Sequence, residues 1–260
     1  MRRLALSTVV ALLLVGALAA NAGAQATPPP PPTEGERAAA FPPDLQGHAV
    51  HDGTLNFMVL FDQLEWQRSG VNGAIWDTKT WVGGDVNRIW LRSEGDVQGG
   101  TVEDAEAHLM LGRAVSRWWD VVAGVRQDFA PGTGRTWAAL GIQGLAPQWF
   151  EVEATAYLGE SARTAVRLEV EYELLLTNRL VVQPLLEVNV FGKADPEREV
   201  GAGLSTVEVG ARLRYEIKRE LAPYVGLVWH RKVFATGDLA REHGGDAGGW
   251  RLVSGLRVWF

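Results

Sequence analysis

Apolar and polar residues alternate along the chain from about Trp81 to the C-terminus. In 150–158, for example, the even positions are apolar, whereas Glu151 and Glu153 occupy odd positions. Because successive side chains of a strand point to opposite faces, this pattern predicts strands with one apolar and one polar face. We predict an all-β fold of about ten strands, with roughly eight to twelve possible. The predicted strands are 81–94, 101–114, 119–129, 137–143, 150–158, 164–176, 180–190, 204–217, 222–233 and 249–260.

The lengths and spacing of these segments favour a membrane barrel over a soluble sandwich. A tilted strand needs about nine to eleven residues to cross a bilayer, whereas soluble strands average about five or six. Tight and longer connections alternate, as periplasmic turns and external loops do in such barrels. Tryptophans cluster at segment ends, and the chain closes on Trp259 and Phe260. We therefore predict an antiparallel up-and-down transmembrane β-barrel over 54–260. Residues 55–80 either form one more hairpin or a plug in the lumen.

The N-terminal region predicts export. Arg2 and Arg3 precede an apolar run that ends in small residues, as in a secretory signal peptide, here 1–24. Residues 25–53 are rich in proline and predict a disordered periplasmic tether. These features together predict an integral protein of a Gram-negative outer membrane, with membrane lipid as its surroundings.

Charge and composition exclude some functions. The net charge is −6, and loss of Arg2 and Arg3 takes it to about −8 in the mature chain. An acidic chain lacks the basic face that nucleic acid requires, so we expect no nucleic-acid partner. The chain has no cysteine and therefore no disulfide framework.

One predicted strand carries possible metal ligands. Asp104, Glu106, His108 and Met110 occupy alternate positions and project to the lumen side. Imidazole suits copper in either oxidation state, and a thioether selects copper(I). The alternative is that His108 bonds an acid in the lumen and Met110 fills a gap. Both interpretations remain open from the residues alone.

A second group of possible ligands lies near the tether. His48 and His51 have the spacing H-x-x-H, and Met58 follows them. A flexible segment with these residues could wrap a copper ion, or it could be an ordinary polar linker.

No catalytic motif is present. The sequence lacks G-x-S-x-G, a P-loop and H-E-x-x-H. Ser161, Ser205 and Ser254 have no histidine at a neighbouring alternate position, as a nucleophilic serine on a barrel wall would need. We therefore expect no enzyme activity and no catalytic residues.

Residues 58–96 resemble the opening of the copper resistance protein B family of outer-membrane barrels. The resemblance is carried by F-D-Q-L-E-W (Phe61 to Trp66), W-x-G-G-D-x-N-R-x-W (Trp81 to Trp90) and S-E-G (Ser93 to Gly95). It implies copper ions as the bound ligand and a role in copper sequestration or export. It also implies a periplasmic multicopper oxidase as a partner. The family's long Met- and His-rich N-terminal segment is replaced here by prolines, which shifts the expected binding toward the barrel.

The resulting hypothesis is a copper-homeostasis barrel whose metal ligands are His108, Met110, Glu106 and Asp104, assisted by His48, His51 and Met58. Copper is the bound ion, not a catalytic cofactor. Two other functions stay open from the sequence. One is a passive pore or structural barrel without metal preference, and the other is an outer-membrane esterase or lipase.

Overall fold

The computed structural model describes residues 31–40, 54–69, 71–245 and 247–260. In this part of the chain the strands account for most of the residues. They are β1 (Asn56–Ser69), β2 (Val71–Gly83), β3 (Asn87–Gln98), β4 (Thr101–Ala114), β5 (Trp119–Ala130), β6 (Arg135–Ala146), β7 (Phe150–Gly159), β8 (Arg163–Glu171), β9 (Leu174–Leu175), β10 (Leu180–Phe191), β11 (Gly203–Tyr215), β12 (Leu221–Lys232) and β13 (Gly248–Trp259).

Twelve of these strands form a closed antiparallel ring. Each strand pairs with its neighbours in the order β1 to β8 and then β10 to β13, and β13 pairs with β1. The last residue takes part in the closure, because the Phe260 amide donates to the Val59 carbonyl at 2.9 Å. A closed ring leaves no strand edge unpaired, which is what a bilayer requires of a β-structure. The predicted antiparallel barrel is confirmed.

The predicted count of about ten strands is two short of the twelve in the ring. The predicted strand 81–94 is wrong, because β2 ends at Gly83 and β3 begins at Asn87. A Cβ atom on Gly83 would lie 2.3 Å from the Asn87 carbonyl oxygen, so this turn requires glycine. β1 and β2 form the additional hairpin, which was one of the two structures predicted for 55–80.

The predicted strand 164–176 is also interrupted. β8 ends at Glu171, and the two-residue β9 pairs with β10 alone, outside the ring. The Tyr172 amide donates to the Pro184 carbonyl on β10. Because the nitrogen and the carbonyl of one strand residue point toward the same neighbouring strand, the Pro184 nitrogen also faces the segment that contains Tyr172. Proline has no N–H to donate, and the ladder is interrupted opposite it.

The two faces of the barrel have opposite character. Large apolar side chains point outward, and Leu111, Leu140 and Leu252 are each more than 60% exposed. Charged side chains point inward and are buried, among them Glu106, Arg126, Arg212 and Arg214. A soluble sandwich buries its apolar face and exposes its polar face, whereas this chain does the reverse.

The connections at the two ends of the ring differ in length. The end that carries Asn56 and Phe260 has short turns, such as 84–86 and 115–118. The opposite end carries the longer loops 192–202 and 233–247, the second of which contains the helix α2 (Phe234–Glu242). Loop 192–202 is held to β5 and β6 by ion pairs, including Arg198 Nη1 to Asp128 Oδ2 at 3.1 Å. By the usual organisation of such barrels, the short turns are periplasmic.

A short helix, α1 (Glu34–Ala40), lies within the range predicted as a tether. It starts with a capping box: the Thr33 amide donates to Glu36 at 2.7 Å, and the Glu36 amide donates to the Thr33 hydroxyl at 3.3 Å. The hydrogen bond from the Thr33 backbone lowers the pKa of Glu36. The predicted signal peptide 1–24 lies outside the described residues. No helix in the described residues is long and apolar enough to span a membrane.

Candidate metal site in the barrel lumen

The hairpin of β3 and β4 places acidic and imidazole groups side by side in the lumen. Its register pairs Glu94 with Glu106 directly across the two strands. The two turn residues, Gly99 and Gly100, both have positive φ, which the tight hairpin turn requires and glycine supplies. Since side chains of one parity share a face, Glu106 and His108 project into the lumen beside Glu94. Glu106 and His108 are 1% and 4% exposed.

Three side chains of this hairpin are spaced as metal ligands could be. One ligand atom each from Glu94, Glu106 and His108 lies within 4.8 Å of the others. His108 Nε2 is 2.8 Å from Glu106 Oε1. His108 Nδ1 is buried and has no hydrogen-bond partner among the described residues. An unpaired buried nitrogen costs free energy, so it calls for a ligand or an ordered water.

Two arginines neutralise the carboxylates of this group. Arg167 reaches from β8 and donates to both oxygens of Glu106, at 2.8 and 3.2 Å, and it also contacts Glu94. Arg126 on β5 contacts Glu106 and donates to Asp128 Oδ1 at 2.6 Å. A cation that binds Glu94 and Glu106 must therefore displace Arg167, because that guanidinium already occupies both carboxylates.

The other sequence-predicted ligands lie elsewhere. Met110 is fully buried and packs with Val122, Trp137 and other apolar side chains. Asp104 is exposed and stands directly opposite Asp96 on β3, outside the group of three. Met58 lies on β1, three strands from Met110 or about 14 Å at the usual strand spacing. His48 and His51 lie outside the described residues.

A small cavity borders the group. Its volume is about 30 Å³, and its lining includes Glu94, His108 and Arg167 as well as Lys79 and Glu169. A water molecule needs roughly 10–15 Å³ by this measure, so the cavity has room for one metal ion or one or two waters.

Sequence reasoning missed Glu94, Lys79 and Arg92 as lumen residues. All three belong to β2 and β3, which the sequence analysis merged into one strand or left unassigned. The signal was present in the alternation of Arg92, Glu94 and Asp96 with smaller or apolar residues. Assigning these three side chains to the lumen face requires knowing that one strand ends at Gly83 and the next begins at Asn87.

The described residues contain no pairing of a serine with a histidine on the outer wall. Ser254 points outward, and its direct partners across the strands are Trp66 and Val225. Ser205 is buried and accepts a hydrogen bond from Thr236 at 2.9 Å. The geometry that a barrel-wall hydrolase needs is therefore missing from this part of the chain.

Comparison with known proteins identifies the relatives of this barrel. The family model described as Copper resistance protein B precursor matches residues 55–260, which span the whole ring. The chain belongs to the copper resistance protein B family. The resemblance inferred from Phe61–Trp66 and Trp81–Trp90 is thereby confirmed.

Curated relatives agree with this assignment. The chain is 51% identical over 235 residues to Copper resistance protein B of Escherichia coli, which covers 90% of this chain and 79% of that protein. It is also 51% identical to the Copper resistance protein B homolog of Pseudomonas syringae pv. tomato, with 90% and 80% covered. The family name describes resistance and not catalysis.

A solved structure supports the fold. The NanC porin matches with a TM-score of 0.53 at 11% identity, covering 78% of this chain and 99% of that chain. At this identity the likeness concerns the fold alone. With the precursor family and the outward apolar face, it locates the barrel in the outer membrane of a Gram-negative bacterium.

Proposed function

We propose that this barrel binds copper as its cargo in the lumen, through Glu94, Glu106 and His108, and that it supports copper resistance by sequestering or exporting the ion. The observation that carries the proposal is that His108, Glu94 and Glu106 each bring a ligand atom within 4.8 Å of the others, next to a cavity that accommodates an ion. The buried Nδ1 of the same histidine has no partner among the described residues. The family name supports copper as the metal.

The donor set favours copper(II). One imidazole nitrogen and carboxylate oxygens suit copper(II), whereas copper(I) prefers thiolate and thioether sulfur. Met110, the nearest thioether of the same strand, is engaged in apolar packing. The predicted copper(I) ligand of this strand is therefore not part of the proposed site.

Binding would exchange one cation for another. Arg167 holds Glu94 and Glu106, and its Nε lies 3.7 Å from Glu187 Oε1 on the neighbouring strand β10. When copper takes the two carboxylates, Arg167 can move toward Glu187 without leaving the lumen unpaired. The ion then offsets the charges of Glu94 and Glu106 while Arg167 offsets that of Glu187, which limits the cost of burying the charges.

An open passive pore is less well supported. Ion pairs connect opposite walls of the ring, as between Arg167 on β8 and Glu94 on β3.

The proposal also retains the periplasmic multicopper oxidase implied by the resemblance as a partner, which co-purification from membranes can test.

Copper titration of the refolded barrel tests the site. We expect His108→Ala to weaken copper(II) affinity by more than about tenfold, because even outer partners of ligands cost about 10–100-fold when removed. His230→Ala, which removes another lumen histidine, should leave the affinity unchanged. Equal affinities for wild type and His108→Ala would overturn the proposed site.

A further inference from the structure

Lys79 spans the lumen of the barrel. It lies on β2, and its ammonium nitrogen is 3.1 Å from Glu153 on β7 and 3.1 Å from Glu169 on β8. These strands are five and six positions away in the ring of twelve, on the opposite wall. All three side chains are at most 14% exposed. A flexible side chain thus connects two walls through the middle of the barrel.

The carboxylates that Lys79 contacts belong to a longer acidic row. Glu153, Glu169, Glu187 and Glu208 are direct partners across the four adjacent strands β7, β8, β10 and β11. Like charges directly opposite each other repel, so such a row needs cations beside it. Lys79 supplies one at Glu153 and Glu169, and Arg92 contacts Glu153 as well. Without the ammonium group, Glu169 would lose its ion pair and the acidic row would attract mobile cations.

We infer that Lys79 closes the lumen to alkali-metal cations by occupying Glu153 and Glu169 with its own ammonium group. The residue then determines which ions the barrel admits. A weakly bound monovalent ion cannot displace a tethered ammonium that is always present at high local concentration. The cavity that Lys79 lines is also lined by His108, so an ion that binds imidazole can be held there without taking Glu153 or Glu169. The inference does not depend on the proposed copper site.

Potassium conductance in planar lipid bilayers tests this inference. Lys79→Ala removes both charge and bulk, and Lys79→Met removes the charge while keeping most of the bulk. We expect both variants to conduct potassium with cation selectivity, at least about tenfold above wild type, since a cleft of one charge sign enriches counter-ions by about 10–1000-fold. The matched control is Lys232→Ala, because Lys232 pairs with Glu199 at the loop end of the barrel. It should behave as wild type.

Several outcomes would overturn the inference. One is a wild-type barrel that already conducts potassium, a measurement that needs no variant to fold. Another is conductance in Lys79→Ala but not in Lys79→Met, which would make the residue a steric plug. A third is wild-type conductance in both variants once heat-modifiable gel mobility shows that they fold. Copper titration and potassium conductance are separate measurements, so failure of the copper site and failure of this inference are distinguishable.

Discussion

His108 and His230 both lie on strands of the barrel and face its lumen, yet their rings contact different groups. His108 Nε2 is 2.8 Å from Glu106, and its Nδ1 has no partner among the described residues. His230 Nδ1 is 3.3 Å from Arg251 Nη2, a group that can only donate. In His108 the Nδ1 atom is left without a partner in the described part of the chain, whereas in His230 the Nδ1 atom accepts from an arginine. The two histidines therefore differ in the group that contacts the ring directly, which is a carboxylate at His108 and a guanidinium at His230.

The largest expected effect is a loss of stability when a carboxylate is removed beside His108, with little loss when one is removed beside His230. Glu106→Gln leaves Arg126 and Arg167 without their shared carboxylate. Breaking a buried pair in this way costs about 3–5 kcal/mol, so we expect a lower free energy of unfolding by that amount in denaturant titrations in detergent. Glu208→Gln is the control beside His230, since Glu208 lies 3.9 Å from its nearest arginine nitrogen, on Arg212. Equal destabilisation by both changes would contradict the comparison.

Removing the competing guanidinium should raise copper(II) affinity, by a smaller free energy than the stability that Glu106→Gln loses. Arg167→Met frees Glu94 and leaves Glu106 with Arg126 as its one arginine partner among the residues that the structure describes. We expect copper(II) affinity to rise by about 10–100-fold, the equivalent of charged hydrogen bonds worth about 1.5–3 kcal/mol. Isothermal titration of the refolded barrel measures this change. Arg251→Met removes the guanidinium beside His230 and should leave copper affinity as it is. A fall in affinity in Arg167→Met would show that Arg167 supports the site and does not compete for it.

The smallest effect is expected at Met110. Met110→Leu keeps the volume of a fully buried side chain, so its stability cost should be below about 1.5 kcal/mol. Copper(II) affinity should not change, because the thioether packs against apolar neighbours. Copper(I) and copper(II) titrations of this variant decide between packing and ligation. A loss confined to copper(I) would restore Met110 as a ligand.

Much of the barrel could be predicted from residue alternation alone. The lumen positions of Glu106, His108 and Arg126 follow from parity within one strand, which needs no knowledge of neighbouring strands. The strand count was two short because 55–80, which forms β1 and β2, was left open between a hairpin and a plug, and the turn at Gly83 was not separated from 81–94. Turn chemistry was overlooked there in favour of periodicity.

The candidate site was only half predictable, for a physical reason. His108 and Glu106 share a strand, whereas Glu94 joins them through the β3–β4 register set at Gly99 and Gly100. Arg167 arrives from β8, 61 residues from Glu106, and only closure of the ring brings it there. The participation of His48 and His51, outside the described residues, stays a prediction.

The β3–β4 hairpin contains all three proposed ligands in one contiguous piece of chain, 94–108. Lys79, in contrast, is separated by 74 and 90 residues from its two partners. A single recombination event could therefore move the three ligands together into another barrel. Lys79 functions only in a barrel that also has carboxylates on the two strands opposite it. Among diverging barrels, metal binding and ion exclusion can consequently be inherited separately. An engineered barrel that receives only this hairpin should gain the ligands without the closure.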